Sequence, residues 1–471
     1  MVKKVVISVL AIFVFFPLSI IRSEDNNSNI FVFTNVNVIP MDRERILNDQ
    51  IVIVRDGKIN VISSSSMEIP VSSVIIDAEG KFLIPALSDM HVHLEGDAWN
   101  LVCPPGSKFS TDEIDFSDIL FVYIANGITT LNVMSALPEH IQLRDKISKN
   151  KMLGPRLILS KMIDGPGKAW PPPVSKWVKD GEEASLAVRE FHKQGYDRVK
   201  IYSFLSKESY DSIIKTAKEL NIPVDGHIPL SLTPEYIVKS GQNMIAHVEE
   251  LLNFTKDHSP EQIKYYAGLI ADSNTWIAST LVLTKNLISL FKDDVKELGK
   301  IGSEYLHPLG SAIWSFIYEK LYEPIPDKIR KKIEDGYNSF QIPFIREFYK
   351  RGGKLMAGTD SLIPSTLPGV SLHKELKILV NAGLSNYEAL KTSTTNPYKF
   401  LGESDTSGTI VKGKVANFVL LDKNPLENIL NTKLIEGVMI NNKWISKVQI
   451  DARMKKISAK YKQLKKKKLI N

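Results

Sequence analysis

The chain has 471 residues, of which 43% are hydrophobic and 24% are charged, and this composition excludes a disordered chain and provides for a large core. Its net charge of +7 is concentrated at the C-terminus, because residues 451–471 carry nine lysines and arginines against one aspartate. The rest of the chain has a net charge of −1, which argues against nucleic-acid binding by the body of the protein. Cys103 is the only cysteine, so an intrachain disulfide is excluded.

The N-terminus has the layout of a secretory signal peptide, which we predict over residues 1–23. Lys3 and Lys4 precede an uncharged, largely apolar run over residues 5–21, and a polar stretch follows it. The alternative is an uncleaved membrane anchor, because a run of this length comes near the lower limit for a spanning helix. We therefore expect an exported protein that is periplasmic or secreted, or one that this segment anchors in the membrane.

Residues 29–82 consist of short apolar segments between Asn, Asp and Gly turn signals, which predicts small β-sheets. Residues 402–449 have the same character, so we expect both parts to build one small β-sandwich domain. The basic segment 450–471 is predicted to be a solvated, mobile tail, and weak contact with an anionic membrane surface is its candidate function.

Residues 83–401 alternate short apolar strands with longer amphipathic stretches, and this pattern predicts a (β/α)₈ TIM barrel. The eight strand candidates are FLIPALSDMH, GITTLNVM, PRLILS, DRVKIY, IPVDGH, NMIAHV, TWIASTLVL and KLMAGTD. The segment SKESYDSIIKTAKELN has its apolar residues three and four apart, as a helix that packs on a barrel requires.

Polar side chains stand where several predicted barrel strands end. His91 and His93 are two residues apart in the first strand, so they project to the same side. His227, His247 and Asp360 close the fifth, sixth and eighth strands, at the barrel face where catalytic groups collect. Imidazole nitrogens and a carboxylate are ligands for a divalent ion such as zinc. Each of these residues alone also fits an ordinary hydrogen-bonded or capping role, so the predicted metal centre depends on all five occurring together.

Lys200 lies among apolar neighbours at the end of the fourth strand, where a bare ammonium group would be costly to bury. A lysine whose pKa is lowered by such surroundings can react as an amine. One product is the carbamate formed with carbon dioxide, whose two oxygens can bridge two metal ions. The alternative is an ordinary lysine that reaches the surface.

Together these segments resemble the metal-dependent amidohydrolase superfamily, and within it the branch of imidazolonepropionase-like and Xaa-Pro dipeptidase-like enzymes. The resemblance extends from about residue 29 to residue 446. The matching motifs are GKFLIPALSDMHVHL, DRVKIY, VDGHIP, MIAHVEE, MAGTDS, GVSLHKELKILVNAGLSNYEALKTSTTNPYKFLG and GTIVKGKVANFVLLDKNPLENI. The ligands that it implies are His91, His93 and Asp360 for one ion, His227 and His247 for a second, and a carboxylated Lys200 as the bridge between the two ions.

The resemblance also implies hydrolysis of an amide by a hydroxide that bridges two divalent metal ions, with Asp360 as general base and then general acid. Carbon dioxide is required as the carbamate on Lys200, which is therefore the second expected catalytic residue. Zinc is the expected metal, while manganese, iron or cobalt would suit the same nitrogen and oxygen ligands.

The expected substrate is a small molecule such as an Xaa-Pro dipeptide, an N-acyl amino acid or a cyclic amide. Tyr202 shares the face of Lys200 and is a candidate donor to a substrate carboxylate, although a packed aromatic side chain fits the same position. Two alternatives keep the fold and change the function: a lactonase or esterase that uses the same site, and an exported protein that binds without turnover. A homo-oligomer is compatible with the sequence.

Two further segments have open roles. The proline-rich loop after the third strand, MIDGPGKAWPPPVSKW, carries Trp170 and Trp177 and is either a lid or wall of the site or a surface loop. His373 and Glu375 stand near the start of the helix that follows Asp360, where we favour capping and packing over a direct role.

Overall fold

The computed structural model describes residues 30–64, 66–94, 114–167, 170–292 and 303–469. The predicted signal segment and Cys103 lie outside the described residues. The strands are β1 (Ile30–Val38), β2 (Leu47–Arg55), β3 (Lys58–Ser63), β4 (Val74–Asp77), β5 (Phe82–Pro85), β6 (Leu87–Val92), β7 (Ile128–Val133), β8 (Arg156–Asp164), β9 (Ser175–Trp177), β10 (Arg198–Ile201), β11 (Val224–Gly226), β12 (Met244–Ala246), β13 (Trp276–Ala278), β14 (Leu355–Met356), β15 (Phe418–Leu421), β16 (Ile435–Ile440) and β17 (Lys443–Ser446).

The α-helices are α1 (Phe116–Ala125), α2 (Pro138–Ser148), α3 (Gly181–Gln194), α4 (Lys207–Leu220), α5 (Pro234–Ser240), α6 (Pro260–Ala271), α7 (Leu281–Lys292), α8 (Pro308–Ile317), α9 (Asp327–Gly336), α10 (Ile342–Lys350), α11 (Val370–Ala382), α12 (Asn386–Ser393), α13 (Thr395–Phe400) and α14 (Lys447–Leu469). Short 3₁₀ helices cover Val248–Phe254, Ser303–Tyr305 and Ile429–Lys433, and π-helical turns cover Tyr318–Tyr322 and Tyr337–Gln341. Among the described residues, no helix combines the length and the apolar character needed to cross a membrane.

The predicted barrel is confirmed. Its parallel strands follow the order β6-β7-β8-β10-β11-β12-β13-β14, and β9 pairs with β8 outside this path. Backbone hydrogen bonds join the first strand to the segment that contains the last one: Met90 donates to the Ala357 carbonyl (3.0 Å), and Asp360 donates to the His91 carbonyl (2.8 Å). This closure brings the ends of the first and eighth strands side by side.

The outer helices form for the local reasons that the sequence indicates. In α4, the Ser206 side chain accepts a hydrogen bond from the Ser209 backbone N–H, and the helix ends at Asn221 in a left-handed conformation. The predicted apolar stripe of α4 is buried and consists of Tyr210, Ile213, Ile214 and Ala217. The strands beneath are covered on both faces, as in β7, in which every residue is buried.

The small β-sandwich domain expected from both chain ends is present. Its sheet follows the order β17-β16-β15-β5-β1-β2-β3, with β4 paired to β1. The Phe33 ring meets Phe418 and Trp444 edge to face, with centroid distances of 5.1 and 5.0 Å. Aromatic contacts therefore join the N-terminal part of the chain to the C-terminal part across this core.

The segment FLIPALSDMH is two strands, and its interpretation as one barrel strand is wrong. Residues Phe82–Pro85 form β5, which pairs antiparallel with β15 in the small domain, and the barrel begins only with β6 at Leu87. Both strands are almost fully buried, so the sequence shows one continuous apolar run across the point where the chain passes from one sheet to the other.

The prediction that the C-terminal basic segment is mobile is also wrong, because residues 447–469 form α14 and pack on the body of the protein. Among the side chains of residues 447–466, the buried ones are seven and four residues apart and are Ile450, Ile457 and Tyr461. On its flank, Lys460 Nζ lies 2.7 Å from Asp118 Oδ2 and Arg453 Nη2 lies 2.5 Å from Asp118 Oδ1. A count of charges does not reveal this apolar stripe, because the same segment contains many lysines.

Candidate metal centre

The structure brings all six predicted ligand residues together at the C-terminal ends of the barrel strands. They are His91 in β6, His93 directly after it, Lys200 in β10, His227 directly after β11, His247 directly after β12, and Asp360 four residues after β14. The alternation that the sequence predicts in the first strand is realised, since both of its histidines face the same group, the Asp360 carboxylate.

One half of the cluster centres on Asp360. Its Oδ1 atom lies 3.3 Å from His91 Nε2 and 3.0 Å from His93 Nε2. Lys200 Nζ lies 3.5 Å from His91 Nε2, and its side chain is 1% exposed. One ligand atom each from His91, His247 and Asp360 lies within 4.8 Å of the other two. A single ion could therefore reach several of these atoms with small side-chain movements.

The other half of the cluster consists of His227 and His247, whose ring centroids are 5.0 Å apart. The His227 Nδ1 atom lies 2.9 Å from Ser203 Oγ and 3.0 Å from Glu250 Oε1. Its Nε2 atom is buried and has no hydrogen-bond partner among the described residues. A buried imidazole nitrogen with no partner is unfavourable in the protein alone and is satisfied by a metal ion.

In two other histidines of the cluster, Nδ1 likewise lies beside a hydroxyl oxygen. Nδ1 of His93 lies 2.6 Å from Ser135 Oγ, and Nδ1 of His247 lies 2.8 Å from Thr280 Oγ1. Histidines that bind a metal usually have their second nitrogen held by an outer hydrogen-bonding group, which fixes the ring orientation. His93, His227 and His247 have this arrangement, so the donor set fits a centre of divalent metal ions.

Burial and neighbouring charges shift the pKa values of three predicted ligand residues toward the protonation states that metal binding requires. Burial, aided by the charge of Lys200, lowers the pKa of the His91 imidazole to about 3. Burial also lowers the pKa of His247 well below its ordinary value. Burial acts to raise the pKa of Asp360, but the neighbouring imidazoles of His91 and His93 outweigh it and hold that pKa well below its usual range. His91 and His247 are therefore neutral and the Asp360 carboxylate is ionised near neutral pH, as metal ligands must be.

The backbone approaches unusually closely at two glycines that precede ligands. A Cβ atom on Gly358 would lie 2.8 Å from the His91 Cβ, and one on Gly226 would lie 2.1 Å from the Ile201 carbonyl oxygen. Gly226 also has a φ of 128°, which side-chain-bearing residues rarely adopt. Both glycines therefore allow neighbouring strand ends to converge on the cluster.

A pocket opens next to the cluster, and its wall is largely apolar. The apolar side chains that contribute to it include Leu94, Met162, Ile313, Ile317 and Leu362. Ile313 and Ile317 come from α8, in the long connection between β13 and β14, so this insertion supplies one side of the barrel mouth.

Tyr202 and Trp170 form the polar edge of the same pocket. The Trp170 indole Nε1 donates a hydrogen bond to the Tyr202 hydroxyl (2.9 Å), and the Tyr202 ring packs on His227 with a centroid distance of 4.0 Å. Trp177 in turn donates to the Trp170 carbonyl (2.9 Å). The aromatic loop therefore lies in the wall of the pocket and not on a remote surface, and Tyr202 is both packed and directed into the site.

Sequence reasoning missed the residues that orient the histidines, namely Ser135, Ser203, Glu250 and Thr280. Ser135 and Ser203 each lie two residues after a barrel strand, a position that could have indicated them. The sequence offers no comparable signal for Ile313 and Ile317, because an apolar stripe on a helix does not reveal which side it covers.

The two residues for which capping was favoured lie outside the cluster. His373 Nδ1 is 2.9 Å from Thr432 Oγ1. Glu375 accepts hydrogen bonds from the backbone N–H groups of Leu281 and Val282 at the start of α7. Glu375 therefore caps a helix other than its own.

Comparison with known proteins gives a consistent result. The sequence model of the amidohydrolase family matches residues 82–445. A solved Xaa-Pro dipeptidase with bound methionine has a TM-score of 0.67 at 19% identity, covering 88% of this chain and 100% of that one. Bottromycin amidohydrolase has a TM-score of 0.70 at 19% identity, covering 92% and 91%. A prolidase complexed with N-methylphosphonate-L-proline has a TM-score of 0.64 at 20% identity, covering 88% and 99%. No curated protein matches the sequence significantly. At these identities the structural likeness establishes a shared fold.

Proposed function

The chain belongs to the amidohydrolase family and is a hydrolase of carbon–nitrogen bonds, and from this premise we propose that it cleaves an amide bond of a small substrate at a centre of two metal ions. The observation that carries the proposal is the convergence of four imidazoles, one carboxylate and one buried lysine at the mouth of the barrel. The buried Nε2 of His227, which has no partner among the described residues, supports metal binding in particular.

The proposed ligands follow the two halves of the cluster. His91, His93 and Asp360 would hold one ion, and His227 and His247 would hold the second. The amine of Lys200 would add to carbon dioxide and release a proton, giving a carbamate that bridges the two ions. Nitrogen and oxygen donors of this kind favour zinc, although other divalent transition metals suit them. When bound, such ions lower the pKa of a coordinated water and polarise a carbonyl group.

Protein groups supply the remaining chemistry. Asp360 is ionised near neutral pH and faces His91 and His93, so it can take a proton from the attacking water and deliver it to the leaving nitrogen. The products are a carboxylate and an amine.

The pocket supports a substrate with an apolar group beside the scissile amide. Because the Tyr202 hydroxyl already accepts a hydrogen bond from Trp170, its own proton is directed to another acceptor. We assign that proton to the substrate, as a donor to a carbonyl or carboxylate oxygen, while apolar residues such as Ile317 and Leu362 contact the side chain. Xaa-Pro dipeptides, N-acyl amino acids and cyclic amides have the required groups.

A substrate panel tests this function. The zinc-loaded protein is assayed with Xaa-Pro dipeptides, N-acyl amino acids with apolar side chains, cyclic amides and lactones. We expect at least one amide to have a higher kcat/KM than every lactone. Faster turnover of a lactone than of every amide would replace the proposal with a lactonase, and no turnover by metal-loaded protein would favour a binding protein.

We also propose that the protein is exported through residues 1–23 and that the outer face of α14 makes weak contact with anionic membranes. Four lysines on this face are exposed: Lys455, Lys456, Lys462 and Lys466. Such a row attracts a negative surface at low salt. Protein lacking residues 1–23 should sediment with phosphatidylglycerol vesicles and not with phosphatidylcholine vesicles, and changing the four lysines to glutamine should abolish this difference. Equal sedimentation with both vesicles would contradict the contact.

A further inference from the structure

The turn that carries Thr280 lies between His247 and a carboxylate that the proposed reaction does not use. Thr280 Oγ1 lies 2.8 Å from His247 Nδ1, and the His247 backbone N–H donates to the Ala278 carbonyl at the end of β13 (3.0 Å). The orientation of the His247 ring therefore depends on where residues 278–282 lie.

Thr280 adopts a conformation that the residue itself disfavours. Its φ is 47°, in the left-handed region, where a β-branched side chain is a genuine outlier. Such a conformation persists only where the surrounding structure imposes it. The neighbours of Thr280 on either side show what imposes it in this fold.

Glu375 fixes the residues on both sides of Thr280. Its Oε2 accepts the Val282 backbone N–H (2.6 Å), and its Oε1 accepts the Leu281 N–H (3.1 Å) and the Ser279 hydroxyl (2.5 Å). The Glu375 side chain is fully buried and extends from α11 to the first turn of α7, where its oxygens accept backbone N–H groups that have no partner within the helix.

We propose that Glu375 is a positioning residue for the metal centre, which holds Thr280 in its left-handed conformation so that the threonine hydroxyl fixes the His247 ring. This inference rests on the proposed function, because His247 acts there as a metal ligand. Glu375 touches neither the substrate nor an ion, so its effect passes through Thr280 to the second metal position. Loss of such an outer partner typically lowers metal affinity by about 10–100-fold.

The first test measures the turn in the metal-free full chain. In Glu375→Gln, one backbone N–H faces an amide NH₂ group in place of a carboxylate oxygen, so hydrogen exchange at Leu281 and Val282 should accelerate. Glu388→Gln is the matched control, because Glu388 accepts the Ser385 backbone N–H and caps its own helix, α12, and not the turn that carries Thr280. Unchanged exchange at Leu281 and Val282 would overturn the proposal whether or not the protein binds metal.

The second test measures zinc affinity by competition with a chromophoric chelator. We expect Glu375→Gln and Thr280→Val each to weaken one of the two zinc sites by about 10–100-fold, and Thr280→Ser, which keeps the hydroxyl, to retain most of the affinity. The double variant should be no weaker than the single ones, because both changes break the same chain of contacts. Wild-type affinity in Glu375→Gln, or additive losses in the double variant, would overturn the proposal. A wild-type protein that binds fewer than two ions would instead contradict the proposed function, and the exchange measurement would still decide the role of Glu375 in the turn.

Discussion

Asp360 is placed to act both as a metal ligand and as a proton carrier. Its φ of 54° lies in the left-handed region, and the residue follows the close approach of Gly358 to His91. The backbone therefore turns sharply where the carboxylate must face two histidines of the first strand. Strained conformations of this kind collect at functional sites, where the surrounding structure over-determines them.

Replacing Asp360 with asparagine keeps the size of the side chain and removes its charge and its basicity. We expect Asp360→Asn to lower kcat by about 10²–10⁴-fold, the usual contribution of a positioned acid or base. Steady-state kinetics with saturating zinc and the best amide of the panel measure the effect, with the exposed Asp405→Asn as control. A kcat for Asp360→Asn within about tenfold of wild type would contradict the proton-transfer role.

The contribution of Glu375 to the free energy of unfolding depends on pH. Burial raises its pKa from 4.5 to about 7, although hydrogen bonds from Ser279 and Val282 act against the shift. Between these two pH values Glu375 binds more protons in the folded protein than in the unfolded chain. The contribution of Glu375 to the free energy of unfolding should therefore decrease as the pH rises from about 4.5 to about 7.

Urea unfolding of the metal-free protein across this pH range measures the slope. Glu375→Gln removes this titrating group, so the free energy of unfolding of the wild type minus that of the variant should decrease as the pH rises from about 4.5 to about 7. Both proteins keep a common slope from other groups. Burial raises the pKa of Asp89 to about 7, which acts in the same direction as Glu375, whereas the lowered pKa values of His91 and His247 act in the opposite direction. Identical slopes in the two proteins would mean that Glu375 does not titrate in this range.

Helix α14 has one face that is buried against the protein and one that is exposed. One side packs on the body of the protein through Tyr461, whose ring meets His307 edge to face at a centroid distance of 5.1 Å. His307 caps α8, the helix that brings Ile313 and Ile317 to the pocket. The C-terminal helix therefore supports the insertion that forms one wall of the site.

Truncation of Tyr461 should reveal this packing. Tyr461 is 1% exposed, so Tyr461→Ala is expected to lower the free energy of unfolding by about 3 kcal/mol, as for other large buried aromatics. The control is Lys462→Ala, at an exposed neighbour, which should change it by less than about 0.5 kcal/mol. Urea unfolding compares the two variants, and equal small effects would show that the helix is not docked in solution.

Across the entire chain, the barrel and its ligand positions were predictable because both follow from regular patterns. Strands and helices alternate along the sequence, and five polar side chains stand at strand ends, where a parallel barrel must gather them. The pair His91 and His93 needed only the two-residue period of a strand.

The features that could not be predicted depend on contacts distant in sequence. The passage from β5 to β6 lies within one apolar run, and only the pairing of β5 with β15 separates the two strands. Thr280 and Ser135 are ordinary polar residues until the fold places them beside His247 and His93. The docking of α14 needed Asp118, which is more than 300 positions earlier in the chain.

The central claim is that these six side chains hold two metal ions, and anomalous X-ray diffraction from crystals grown with zinc tests it most directly. We expect two anomalous peaks about 3.5–4 Å apart, one bound by His91, His93 and Asp360 and the other by His227 and His247, with extra density for a carboxyl group on Lys200. The absence of any peak at this cluster, or an unmodified Lys200 that contacts neither ion, would contradict the account.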